Sequence, residues 1–289
     1  MGNIVQIDKK VLPWLLEGDV SIQYQVHRDL LGIENPELQK RIASEGWGAK
    51  FLSFRKPEGH WGRGFYQPKW ISSHYSLLDL KYLNISPDVP EIKESILQIA
   101  HNHKSEDGGI NPHRDHRGNP VSDMCINGMF LDYACYFRVD ESELKSVVDC
   151  IIEHQMPDGG YNCRINRGGA VHSSLHTTIS VLEGLWEYKK NGYTYRLDEL
   201  EKIAAESREF ILMHRLYKSD KTGEVIHKKF TMLSYPSRWF YDILRALAYF
   251  QDAGIAYDPR MQDALDVLLK KRRKDGTWPV QAKHAGKVH

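Results

Sequence analysis

The chain of 289 residues has no apolar run long enough to cross a membrane. Its first ten residues, Met1 to Lys10, mix an acid with lysines where a signal peptide needs an apolar stretch. The expectation is a cytoplasmic protein with no membrane span. Cysteine is scarce. Cys125, Cys135, Cys150 and Cys163 do not make a disulfide framework in a chain this long, so reduced thiols are expected. Neither sign of charge dominates: 39 basic against 38 acidic side chains give a net charge of +1, with no general attraction to nucleic acid or anionic lipid. Histidine, by contrast, is abundant at 14 residues, and some of these need a chemical reason.

What the chain does have is a repeat. Five short Gly-centred turns carry a large side chain at or near their end: Glu58-Gly59-His60-Trp61, Asp107-Gly108-Gly109-Ile110, Asp158-Gly159-Gly160-Tyr161, Thr222-Gly223-Glu224-Val225 and Asp275-Gly276-Thr277-Trp278. They recur at intervals near fifty residues, longest before the fourth, and a repeated period of this length marks a repeat architecture. Glycine at such a place takes positive φ and closes a helix C-terminus, Asp accepts from nearby amides, and the following aromatic can lie over the helix end. Only Gln155 to Tyr161 carries the fuller pattern, in which a Gln precedes the Asp-Gly turn and its aromatic.

Before each later turn the spacing predicts an amphipathic helix: Ile92 to His103, Leu144 to His154, Leu200 to Leu212 and Met261 to Lys271. After each turn and a loop comes a helix that is apolar over more of its circumference: Ser73 to Leu83, Met124 to Phe137, Leu175 to Tyr188 and Trp239 to Ala253. Each unit therefore pairs an outer helix with a buried inner one. Ser21 to Leu31 and Leu38 to Phe54 supply an earlier pair, and Pro36, Pro87, Pro90 and Pro259 fall at the joins. Stacked helical hairpins give an open solenoid or a ring, and buried inner helices favour the ring. The expected fold is all-α: one α/α-toroid domain over residues 1–289, an incomplete or near-complete barrel of about five hairpins. No further inner helix follows Trp278, so the ring either has a gap or is closed by a helix around Val11 to Leu16.

This pattern resembles the terpenoid cyclase and protein prenyltransferase superfamily of α/α toroids, whose repeat ends in a Gln and Asp-Gly-x-Trp turn. The likeness runs from the Ser21 to Leu31 segment to Trp278. It is nearest to a group of small bacterial squalene-cyclase-like proteins of unknown activity, with Gly62 to Trp70 and His172 to Thr178 as the distinctive segments. The Asp-x-Asp-Asp acid of squalene-type cyclases and the Asp-Cys-Thr-Ala-Glu segment of oxidised-substrate cyclases do not occur, so the resemblance does not imply proton-initiated cyclisation. The Asp-Asp-x-x-Asp magnesium segment of metal-dependent terpene synthases is also missing.

The resemblance to prenyltransferase β subunits implies zinc, held by Asp123, Cys125 and His176, with Cys163 and His172 as possible additional ligands. Cys125 and His176 lie about one repeat apart at the starts of successive inner helices, and the ligand types suit Zn²⁺. Bland readings stand beside this one. Cys125 could be a small buried hydrophobe like Cys135 and Cys150, Asp123 an N-cap, and His172 and His176 helix-capping groups. Trp70, His74, Tyr235, Arg238 and Trp239 open other inner helices and are expected to line the mouth of a central cavity. His74, Tyr235 and Arg238 are the catalytic candidates, with Arg238 either holding an anion such as diphosphate or stacking on Trp239. His113, Arg114, His116 and Arg117 make a basic, solvated loop.

The leading expectation is a toroid enzyme acting on an isoprenoid or other apolar substrate, with zinc. The alternatives are a non-catalytic toroid binding a lipid or partner, and a polysaccharide lyase or hydrolase built on helical hairpins. A helical partner subunit or a homo-oligomer is compatible with the resemblance.

Overall fold

The computed structural model describes residues 10–112, 122–163 and 168–289. Among them the structure is all-α, with only isolated β-bridges between loops. No helix among the described residues is long and apolar enough to cross a membrane. The basic loop from His113 to Arg117 lies outside the described residues. Chain contacts divide the protein into two compact units, Met1–Ser95 with Gly286–His289, and Ile96–Ala285.

The first unit contains α1 (Val11–Leu16), α2 (Val20–Gln25) continued by a π-helical turn to Leu30, α3 (Pro36–Arg41), α4 (Gly46–Ser53), α5 (Ser73–Tyr82) and the first residues of α6 (Pro90–Asn102). The single helix expected from Leu38 to Phe54 is broken at residues 42–45. Asp19 explains the break. One of its oxygens accepts from the Ser21 amide and caps α2, and the other accepts from the Trp47 amide at the start of α4. Gly46, at φ +59°, sits against that carboxylate, where a Cβ would collide with it.

The second unit contains the rest of α6, then α7 (Met124–Tyr136), α8 (Glu141–Glu153), α9 (Leu175–Lys190), α10 (Leu197–Met213), α11 (Ile243–Asp252) and α12 (Gln262–Lys271). α7 and α9 are buried nearly all round, while α8 buries one face made of Leu144, Val147, Val148, Cys150 and Ile151. α7 and α9 pack backbone to backbone. A Cβ on Gly128 would lie 2.6 Å from the Val181 amide nitrogen, and one on Gly184 would run into the carbonyl of Gly128. The fourth expected inner helix differs in both length and character. Asp242 caps it through the Arg245 amide, so it starts at Ile243 rather than Trp239, and it leaves Leu244 and Ala248 exposed.

Four of the five turns share one hydrogen-bond scheme. In those at Glu58, Asp107, Asp158 and Asp275, the residue two before donates its amide to the carbonyl two after, at 2.8–2.9 Å. The same residue's carbonyl accepts from the turn glycine, whose φ lies between +81° and +87°. The fourth turn closes a loop one residue longer, from Ser219 to Glu224. The large side chain ties back to the preceding helix. Trp61 Nε1 donates to Phe51 O at 2.7 Å, Tyr161 Oη to Ile151 O at 3.0 Å, and Trp278 Nε1 to Leu268 O at 2.8 Å. The amides of Trp61, Ile110 and Tyr161 in turn donate to Ser73, Asn127 and Thr178 on the helix that follows.

The two Asp-Gly-Gly turns carry an additional clamp. Ser122 and Ser173 each donate both amide and hydroxyl to the turn aspartate, Asp107 and Asp158 respectively. This explains the second glycine. A Cβ on Gly160 would meet Ser173 and Thr178 at 2.7 Å, and one on Gly109 would meet Cys150 Sγ at 2.8 Å.

Candidate functional site

The first turn of α9 is the crossroads of the second unit. His176 and Thr177 are its second and third residues, and they point to different neighbours. His176 faces the segment leading into α11. Its Nδ1 accepts from the Tyr241 amide at 2.7 Å, which leaves the proton of the neutral ring on Nε2. Its ring stands edge-on to Phe230 at 5.2 Å, Trp239 at 5.2 Å and Phe240 at 6.0 Å. Burial, with Arg245, His227 and Lys229 nearby, lowers its pKa to about 4. At neutral pH it is an uncharged donor.

Beside it the rings of Trp239 and Phe240 stack at 3.9 Å, and Phe240 stacks on His284 at 4.0 Å with an interplanar angle of 5°. Residues 281–282 are fixed next to Leu233 by two backbone hydrogen bonds, which brings His284 to the stack. Trp239 and Phe240 are half-buried, so the stack reaches solvent. Charges of both signs surround it. Burial and then Arg238 lower the His284 pKa, Asp242 opposes them, and Lys229 lowers it further. His227 packs its ring 5.7 Å from Phe230 and accepts the Lys229 amide, which places that lysine at the cluster's edge. The nearby carboxylates are already engaged. Asp242 accepts from Arg245 N and from Ser234 N and Oγ, and Glu183 is held by the Arg245 guanidinium.

Thr177 faces the other way, toward α7. Cys163 Sγ accepts from the Cys125 amide at 3.1 Å and from Thr177 Oγ1 at 3.5 Å, and the Cys163 amide reaches Thr177 Oγ1 at 3.4 Å. The hydrogen bond from the Cys125 side chain holds the Cys163 thiol below its ordinary pKa, against the opposing effect of burial.

The zinc expectation is overturned. Among the described residues no group of three or more His, Cys, Asp or Glu could hold a metal ion, and Asp123, Cys125, Cys163, His172 and His176 all belong to those residues. The geometry gives the reason. Cys125 and His176 hold equivalent places on neighbouring helices, and equivalent side chains point to equivalent surroundings rather than toward each other: Cys125 to Cys163, His176 to Tyr241. Asp123 is the N-cap residue of α7 by position, although its side chain makes no capping bond. His172 lies before the helix, since Ser174 is the N-cap of α9. It is exposed, and its carbonyl accepts from Asn162.

The cavity candidates fall in different settings. In the first unit His74 is fully buried among Phe65, Tyr66 and Tyr75, and burial lowers its pKa to about 3. Trp70, also buried there, packs edge-on to Tyr75 at 4.7 Å. In the second unit Tyr235 is 73% exposed and Arg238 only 6%. Sequence reasoning missed Phe230, Phe240 and His284. The consecutive aromatics from Trp239 to Tyr241 were the available signal for Phe240, while nothing local marks His284.

His176 and His74, the two histidines lowered furthest, make stability pH-dependent. The unfolded chain takes up protons near pH 6.5, whereas the folded protein resists them until about pH 4 at His176 and about pH 3 at His74. Their contribution is therefore complete above pH 6.5 and is lost as pH falls toward the folded values. The unfolding free energy from urea denaturation should be lower at pH 5 than at pH 7, with a slope approaching about 1.4 kcal/mol per pH unit for each histidine. His74→Phe should flatten this dependence, and an unchanged slope in that variant would count against the assignment.

Compared with protein-family models and with curated proteins, the chain matches none.

Proposed function

We propose that this protein is an α/α toroid of the terpenoid cyclase and prenyltransferase kind that binds a small molecule with an apolar body and an anionic head, an isoprenoid diphosphate being the chemistry that fits. The observation that carries this reading is the solvent-reaching stack of Trp239, Phe240 and His284 beside Lys229 and Arg238. The ring faces and edges offer apolar contact to a hydrocarbon chain, and the neighbouring cations offer a field for phosphate. Neutral His176 adds a single Nε2–H donor and no competing charge. The hydrogen-bond scheme common to four of the five turns supports the toroid, because those four turns close in the same way.

The test is a tryptophan-fluorescence titration of the full chain with farnesyl diphosphate, farnesol and inorganic diphosphate. Farnesyl diphosphate is expected to bind more tightly than either half alone. Trp239→Ala should weaken it at least tenfold, about 1.4 kcal/mol, and Lys229→Gln should weaken it while leaving farnesol unaffected. Equal response to all three compounds, or unchanged affinity in Trp239→Ala, would refute the proposal.

A second reading, a toroid that docks a partner segment, is favoured by a groove of about 1250 Å³ on the second unit. Its lining exposes Met213, Val225 and Ile226 beside Glu206, Asp220 and Glu224, a surface suited to a basic amphipathic segment.

A further inference from the structure

The second unit holds two thiols whose arrangement the aromatic site does not use. Cys163 arrives from the turn after Tyr161 and Cys125 from the start of α7, 38 residues apart in sequence, and they meet through the hydrogen bond from the Cys125 amide to Cys163 Sγ. Three features converge on the Cys163 sulfur. The first is the amide of the second residue of a thirteen-residue helix, at 3.1 Å, where the helix end favours negative charge. The second is the Thr177 hydroxyl at 3.5 Å. The third is the Cys125 thiol, which is also hydrogen-bonded to it. Both sulfur-bearing residues are half-buried, whereas Cys135 and Cys150 are buried. Donors aimed at one sulfur stabilise its thiolate, the nucleophilic form, whereas fully buried structural cysteines such as Cys135 and Cys150 are inert.

We propose that Cys163 and Cys125 form a redox-active dithiol, with Cys163 as the nucleophile and Cys125 as the resolving thiol, that exchanges with low-molecular-weight disulfides. In the first step the Cys163 thiolate attacks one sulfur of R–S–S–R. A Cys163–S–S–R bond forms, the R–S–S–R bond breaks, and RS⁻ leaves to take a proton from water. In the second step Cys125 loses its proton to solvent and attacks the Cys163 sulfur, expelling the second RS⁻. Two protein thiols and one small disulfide become one protein disulfide and two small thiols, so the small disulfide is the oxidant and excess thiol reverses the reaction. The product would tie the segment after Tyr161 to the first turn of α7.

The test uses the full chain and 5,5′-dithiobis(2-nitrobenzoate) as the disulfide. The native protein should release two thionitrobenzoate ions rapidly and become lighter by two hydrogens, with peptide mapping under non-reducing conditions joining Cys125 to Cys163. Cys125→Ser should release one ion and retain a stable mixed disulfide on Cys163. Cys163→Ser should lose the fast phase, reacting about tenfold more slowly or worse. Failure of the native protein to form the internal disulfide overturns the proposal, as does a Cys163→Ser variant that reacts at the native rate. Should either serine variant not fold, competitive iodoacetamide labelling of the native protein decides. Cys163 should be alkylated well before Cys135 and Cys150, and equal labelling overturns the assignment.

Discussion

Replacing Gly128 with alanine is expected to destabilise the protein by about 3 kcal/mol, the upper part of the usual range for forcing a methyl group into a packed core. Gly128 is the point at which α7 and α9 touch through their backbones. The added Cβ would meet the carbonyl of Ser180 and lie 2.6 Å from the amide nitrogen of Val181. Neither group can swing aside as a long side chain could, because both belong to the helical ladder of α9. Relief requires the two helices to separate, which loosens the contacts of Phe130, Leu131, Val181 and Leu182, all nearly fully buried. Urea denaturation should show a lower midpoint with an unchanged slope. Alanine otherwise favours a helix over glycine by about 1 kcal/mol, so a neutral or stabilised variant would mean that the two backbones do not meet.

Arg245→Met should cost about 3 kcal/mol, the lower end of the range for removing one partner of a buried ion pair, because Arg245 is buried and Glu183 half-buried. The guanidinium of Arg245 donates to Glu183 Oε1 at 2.8 Å through Nε, to Phe240 O at 2.9 Å through Nη1 and to Ser180 Oγ at 3.1 Å through Nη2, which also pairs with the other Glu183 oxygen. It thus joins α11 to α9 and holds the backbone of the aromatic stack. Methionine keeps much of the volume but leaves Glu183 charged and without its guanidinium partner, a worse state than having neither. The Arg245→Met, Glu183→Met double variant should recover most of the loss, and the recovery is the discriminating result. A thermal midpoint for the single variant roughly 10 °C lower is the scale to expect for a unit of this size. If Arg245→Met melts as the native protein does, the pair makes no net contribution.

The Gly-centred turns were legible in the sequence because they are local. A glycine that must take positive φ, an aspartate that accepts a nearby amide and an aromatic that returns to the preceding helix all act within 15 residues, as Asp158, Gly159 and Tyr161 do. The same is true of the buried helices α5, α7 and α9, whose bounds agree closely with their apolar composition. Where long-range contacts decide, sequence reasoning fails. The break before α4 depends on Asp19, 28 positions before the amide of Trp47 that it accepts. The late start of α11 has a local cause instead, the cap at Asp242, which the apolar run from Trp239 to Tyr241 conceals.

The candidate site divides in the same way. Spacing placed Cys125 and His176 at matching helical positions, and they do occupy them. Matching positions in a repeat carry the same outlook, however, and spacing alone cannot tell matching from facing. Cys163 was legible as a neighbour of the α9 entry. Its contact with the Cys125 amide depends on how two chain segments approach, which no local pattern encodes.

The site is tested most directly by photoaffinity labelling of the full chain with a benzophenone-bearing farnesyl diphosphate analogue, followed by peptide mapping. Label should concentrate on the segment from His227 to Tyr241 and around His284, and unlabelled farnesyl diphosphate should suppress it. Label confined to the groove beside Met213 and Ile226, or label that farnesyl diphosphate does not displace, would contradict the assignment.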